Sequence, residues 1–217
     1  MLLNINKPKG ITSHDVVDEV RKATGVKRVG HAGTLDPFAT GVLVVAVGRE
    51  DTKKLTEITK NTTKEYIATL ELGKTSTTDD PEGNISLISL SYPHLGETKD
   101  VLKRFVGEIE QTPPPYSAIK IKGVPAYKLA RRGEEVKLSP RTVTIEELKL
   151  LWYKPPFLKI QVVCGAGTYI RSLAKDIGEK LGVGAYLTEL ERTRVGNFKI
   201  KDSIPLSKLS LPKLSTP

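Results

Sequence analysis

Gly30-His31-Ala32-Gly33-Thr34-Leu35-Asp36-Pro37-Phe38-Ala39-Thr40-Gly41-Val42-Leu43 is the stretch around which the rest of the chain is read. Three glycines and a proline surround one carboxylate. Pro37 pushes Asp36 out of the helical region toward an extended backbone. Gly30, Gly33 and Gly41 let a second backbone or a ligand come close. The apolar run Val42 to Val47 follows as a buried strand. Two readings of Asp36 stand on these residues alone. Asp-Pro is an ordinary turn opening, with Asp at the first position and Pro at the second. An acidic side chain held in a rigid loop at a sheet edge, a place for chemistry, is the second reading, and on these residues alone the turn comes first.

Working outward, Met1 to Ile5 reads as a strand and Lys7-Pro8-Lys9-Gly10 as a turn. Ser13 is expected to cap a helix whose apolar face is Val16, Val17 and Val20 and which Gly25 ends. Lys64 to Leu72 alternates as a strand. Thr75 to Asn84 reads as polar loop and Lys99 to Phe105 as helix. Arg141 to Tyr153 and Phe157 to Cys164 read as strands around Lys154-Pro155-Pro156. Thr168 is expected to cap a helix to Leu181, striped by Ile170, Leu173, Ala174, Ile177 and Leu181. Gly184 to Lys199 reads as a further strand. Strands and helices mix without regular βαβ alternation, so the expected class is α+β.

The chain has 217 residues and a net charge of +9. A basic surface of this size suits a polyanionic partner, because each phosphate neutralised releases counterion; a merely solvated basic face is the other reading. The single cysteine, Cys164, rules out an intrachain disulfide framework. His14, His31 and His94 lie far apart, with no metal-ligand spacing. Neither a Walker-type loop nor a Gly-x-Gly-x-x-Gly fingerprint occurs. No cofactor and no metal are therefore expected. The N-terminus has no apolar core of signal-peptide length, and the longest apolar run is too short to span a bilayer. A cytoplasmic protein is expected.

Three further stretches carry chemistry-bearing residues. Lys64-Glu65-Tyr66 is followed by Leu72-Gly73 and Asp80-Pro81-Glu82-Gly83. Tyr66 reads as core or as a stacking surface. In Gly165-Ala166-Gly167-Thr168-Tyr169-Ile170-Arg171-Ser172-Leu173, Arg171 falls in the first helical turn. A cation there opposes the helix dipole. It is either a misplaced surface arginine or one compensated by an anion. From Gln111 to Gly133, Lys120, Lys122, Lys128, Arg131 and Arg132 gather beside Tyr116 and Tyr127. Basic residues interleaved with aromatics suit phosphate contacts and base stacking.

Taken together, these blocks resemble the TruB family of tRNA pseudouridine synthases, in motif order, over about residues 2 to 200. The resemblance implies a pseudouridine synthase fold, a mixed and mostly antiparallel sheet flanked by helices. It implies a catalytic domain at 1–202 with an RNA-gripping insertion at about 111–140. The stretch 203–217 is expected to be a short C-terminal tail, without the C-terminal RNA-binding domain of many bacterial members. Asp36 falls on the family's catalytic aspartate. Tyr66 falls on the tyrosine that stacks on the target uracil, and Arg171 on the arginine that pairs with the aspartate. Tyr169 and Leu190 fall on positions that contact the nucleotide. His31 resembles the residue that fills the stack left by the flipped base. Lys120, Lys122 and Arg131 become candidate RNA contacts. One departure is Glu191, where the family often has arginine. The implied activity is isomerisation of uridine 55 in the T-loop of tRNA, by a monomer without an obligate protein partner or membrane. A tRNA-folding chaperone and a guide-dependent synthase subunit are the alternatives.

Overall fold

The computed structural model describes residues 1–209. In chain order the elements begin β1 (Leu2–Lys7), α1 (Ser13–Thr24), β2 (Val29–Ala32), β3 (Thr40–Val47), α2 (Arg49–Lys60), β4 (Lys64–Leu72), β5 (Lys74–Ser76) and β6 (Ile85–Leu87). They continue with α3 (Leu95–Lys103), β7 (Gly107–Gln111), β8 (Lys120–Ile121), β9 (Val124–Pro125), α4 (Ala126–Arg131) and β10 (Arg141–Lys154). Last come β11 (Phe157–Cys164), α5 (Ile170–Lys180), β12 (Ala185–Val195), β13 (Phe198–Lys199) and β14 (Ile204–Pro205). The class is α+β, with parallel and antiparallel pairs mixed and the antiparallel ones more numerous, as expected.

Chain contacts divide these residues into two units. The first joins Met1–Ile67, Val163–Ala166 and the stretch from Glu189 on. Its strand order is β14-β1-β3-β12-β4. β3 is its axis. One edge pairs antiparallel with β1 along six residues, from Gly41 to Ala46. The other edge pairs with β2 at Val44 to Val47 and, in parallel, with β12 at Thr40 and Gly41. Both faces of β3 are covered, which is why it reads as an unbroken apolar run. Leu43, Val45 and Val47 pack with Val16, Val17 and Val20 of α1. Val42 and Val44 pack against Leu55 and Ile58 of α2. Each of the three α1 valines is buried and contributes on the order of 1.5 kcal/mol or more.

Helix α1 starts one residue earlier than Ser13 implies. Thr12 is the cap: its hydroxyl accepts from Asp15 N at 3.1 Å, and its own N–H donates to Asp15 Oδ2 at 2.7 Å. This reciprocal box frees Ser13 to turn inward. Gly25 ends the helix in the left-handed region at φ 72°, as expected. Helix α2 has no counterpart in the sequence reading. It buries no residue fully, lacks a side-chain cap and is laced by exposed pairs such as Lys53–Glu50 at 2.9 Å. The stretch 203–209, expected as tail, lays Ile204 beside Ile5 and Pro205 beside Asn6 in parallel; residues 210–217 of that expectation lie outside the described residues.

The second unit joins Ala68–Val162 and Gly167–Thr188, with strand order β12-β4-β11-β10-β7. Helix α5 buries Ile170, Leu173, Ala174 and Ile177, the expected stripe. Its N-cap is Tyr169, not Thr168, and the Tyr169 side chain makes no capping bond. Helix α3 begins at Leu95 rather than Lys99, and β5 and β6 form a hairpin within and beyond the stretch read as loop. No helix among the described residues is long and apolar enough to cross a membrane.

Candidate active site

In the first unit, the chain leaves β2 at Ala32 and re-enters β3 at Thr40, and Asp36 lies at the tip of this connection. The turn reading of Asp-Pro is met. Ala39 N–H donates to the Asp36 carbonyl at 3.1 Å, closing a β-turn with Pro37 at its second position. Leu35, Phe38 and Ala39 are buried and anchor the turn, while Asp36 is half-buried.

Buried polar groups fix the backbone on every side. Lys7 is wholly buried, and its ammonium donates to the carbonyls of Pro8 at 2.9 Å, Ile11 at 2.7 Å and Pro37 at 3.3 Å. Gly10 N–H reaches the same Pro37 carbonyl at 2.8 Å. Ser13 Oγ accepts from Leu35 N at 2.9 Å and donates to Leu35 O at 3.0 Å. Arg192 on β12 donates from Nε to the Val42 carbonyl at 2.8 Å and from Nη2 to the Gly33 carbonyl at 3.0 Å. Gly41 makes this approach possible. It has φ 103°, and a Cβ there would meet Arg192 backbone atoms, the nitrogen at 2.8 Å. Residues on both sides of Asp36 are thus held, which is the preorganisation a catalytic carboxylate requires.

Tyr66 on β4 is buried, and burial pushes its phenol above the ordinary value. The charge of Arg192 opposes this, while that of Asp36 adds to the upward push. Asp36, Tyr66 and Arg192 therefore share one electrostatic neighbourhood. His31 stands half-buried on β2, opposite Val45. Burial first, then the charge of Arg192, holds its imidazole below the usual range, so it is neutral at pH 7. Leu190 is buried on β12, two residues before Arg192 and so on the same strand face. Lys64, also buried, donates to the carbonyls of Thr59 at 3.0 Å and Thr62 at 2.9 Å. Of the sequence-predicted set, the first unit brings together His31, Asp36, Tyr66 and Leu190.

The second unit carries the rest. Arg171 is 4% exposed and is no misplaced surface residue. Its guanidinium donates to the carbonyls of Thr78 at 3.0 Å and Tyr116 at 2.7 Å, and pairs with Asp80 at 3.4 Å. Asp80 is buried as well, and its carboxylate accepts from Thr78 Oγ1 and, at 3.0 Å, from Glu82 N. The Asp80-Pro81-Glu82-Gly83 motif thus acts as an anchor for Arg171. Tyr169 is set by Gln111, whose side-chain amide bonds its N–H at 2.8 Å and its carbonyl at 3.1 Å. The Arg141 guanidinium lies 5.1 Å from the centre of the Tyr169 ring. Lys120, Lys122 and Arg131 are exposed along β8, the following turn and α4, with Arg131 over the Tyr127 ring at 5.6 Å.

Arg192, Lys7, Ser13, Asp80 and Gln111 have no assigned role in the sequence-based set. A sequence signal existed for Arg192: a cation two residues after Leu190 and so on the same strand face as that apolar side chain.

Comparison with known proteins accords with this arrangement. Residues 21–170 match the model of the TruB family pseudouridylate synthase N-terminal domain, and residues 171–213 match the tRNA pseudouridylate synthase B C-terminal domain. A protein of Parabacteroides distasonis called tRNA pseudouridine synthase B is 50% identical over 209 residues, covering 92% of this chain and 87% of its own. One of the same name from Syntrophotalea carbinolica is 46% identical, covering 97% of this chain and 68% of its own. Among solved structures, a chain of a Cbf5–Nop10–Gar1 complex superposes with a TM-score of 0.76 at 33% identity over 96% of this chain. This chain spans 53% of that one, about half its length. With one family model matched over most of the chain and a relative 50% identical across most of both chains, the chain belongs to the TruB family of pseudouridylate synthases.

Proposed function

We propose that the chain isomerises uridine to pseudouridine at position 55, in the T-loop of tRNA, as a stand-alone enzyme. The observation that carries the reading is the Asp36 loop: a half-buried carboxylate whose flanking backbone is fixed by Lys7, Ser13 and Arg192, in one neighbourhood with a buried tyrosine. The target base sits in a folded loop and must be flipped out to be reached. Asp36 is the nucleophile that lets the C1′–N1 bond break. The freed uracil turns and bonds C1′ through C5 as Asp36 is released; C5 then loses its proton and N1, no longer tied to ribose, gains one, so the product is an isomer of the substrate. Tyr66 stacks on the uracil ring, a common hold on an unstacked RNA base. Its phenol, kept neutral by burial, lies in the neighbourhood where that proton moves. The family motif assigns Arg171 to keeping the catalytic carboxylate ionised, and Tyr169 and Leu190 to lining the nucleotide. His31, neutral and half-buried, fills the vacated stack. Lys120, Lys122 and Arg131 grip phosphate.

The relatives named tRNA pseudouridine synthase B support this reading over a chaperone. Their identity of 46% and 50%, against 33% for the Cbf5 chain, supports it over a guide-dependent subunit. One assay separates the three. Purified protein is incubated with unmodified tRNA transcript alone, and pseudouridine is mapped. Modification confined to position 55 is expected. Binding without conversion would leave the chaperone, and conversion only after adding guide RNA and partner proteins would leave the subunit.

A further inference from the structure

Arg192 is 1% exposed and heads the largest completely buried side chains. Burying a cation costs several kcal/mol after relaxation. A methionine would fill similar volume without that cost, so packing alone does not account for an arginine here. Its Nε and Nη2 donate to two backbone carbonyls, which leave the positive charge uncancelled. Those carbonyls belong to Gly33 and Val42, the residues that bracket the connection bearing Asp36. The strand register puts the Arg192 backbone directly beside Gly41, so the side chain folds back over the same connection. The charge of the guanidinium also acts on the Tyr66 phenol, holding its rise in check. A planar fork can hold two fixed carbonyls at once, whereas an ammonium is a point charge.

We propose that Arg192 is the positioning residue of the catalytic loop: one buried guanidinium clamps the backbone at Gly33 and Val42, on either side of Asp36, so that Asp36 keeps a fixed place during the reaction. This rests on the reading of Asp36 as the catalytic group. Arg192 itself need not touch substrate. Its charge also lies in the field felt by His31 and Lys64, as a cation at the centre of the neighbourhood would.

The test uses the full chain with Arg192→Met and Arg192→Lys. Hydrogen exchange is followed by peptide, and single-turnover conversion and tRNA binding are measured in parallel. In Arg192→Met, segment 33–42 should exchange about tenfold faster while β7 and β10 are unchanged. The single-turnover rate should fall about 100-fold, as for a slightly misplaced reacting group. tRNA affinity should stay within about threefold, since phosphate contacts supply most of it. Arg192→Lys should recover part of the rate and part of the loop protection. Unchanged exchange in 33–42, a uniform acceleration along the whole chain, or a rate within about threefold of wild type would each overturn the proposal. If Arg192→Met does not fold, Arg192→Lys decides by the same criteria. If wild type fails to convert uridine, the functional reading falls, and exchange in 33–42 still decides whether the clamp exists.

Discussion

At the scale of single residues, the proposed chemistry depends on one carboxylate, Asp36, and the anchors around it. Asp36→Asn should lose pseudouridine formation altogether, because an amide is too weak a nucleophile for the glycosidic step. Its tRNA affinity should remain, and turnover by a preparation free of wild-type enzyme would remove Asp36 from its role. Asp80 tests the other unit. Its carboxylate pairs with the buried Arg171 guanidinium at 3.4 Å. Removing one side of a buried pair is costly, so Asp80→Asn should destabilise by about 3 kcal/mol. A urea midpoint within error of wild type would show that Arg171 is held without the Asp80 charge. Asp36 was legible because Pro and Gly constrain the local backbone, and family motifs name it. Arg192 and Gln111 were not, because their partners lie far away in sequence: Arg192 to Val42 spans 150 residues, and Gln111 to Tyr169 spans 58. Local spacing carries no record of such contacts.

Elements show the same division. α1 and α5 were readable because a single apolar stripe decides each, yet both caps shifted. Thr12 displaced Ser13 because Ser13 has a tertiary task at Leu35. α2 was not readable, since only Leu55 and Ile58 of its residues pack on the core cluster below it. α5 also carries a charge that works against its own burial. Burial, with Glu179 nearby, raises the Asp176 carboxyl from 3.8 to about 6. The folded state then holds more protons than the unfolded state between those values. Stability therefore falls as pH rises through that window, and the loss is complete above it. A shift of this size corresponds to about 3 kcal/mol at most, and partial exposure reduces it to about 1 kcal/mol. Asp176→Asn should accordingly raise Tm by about 2–4 °C at pH 8 and leave it unchanged at pH 4. An equal gain at both pH values would show that the benefit is not electrostatic.

On the scale of the whole molecule, the basic excess is what a site-centred view leaves out. The net charge of +9 was legible from composition, but its disposition was not. Many cations are committed to the protein itself: Lys7, Lys64, Arg171 and Arg192 are buried and spend their donors on carbonyls. Lys120, Lys122 and Arg131 are exposed, and Lys122 sits in a turn with φ 47°, which holds it at the tip of the β8–β9 hairpin. These three are free to meet phosphate in a way the buried four are not. Replacing all three by glutamine should lower the slope of log affinity against log salt by about 1 to 2, less than the near-unit slope expected for each full phosphate contact. The affinity lost at low salt should largely disappear as an effect at high salt. The uridine chosen should not change, because phosphate contacts position without specifying. Single-turnover rate at saturating tRNA should stay within about threefold, since Asp36 and its supports are untouched. A triple variant that keeps its salt slope but modifies additional uridines would mean that the hairpin reads the RNA rather than holds it.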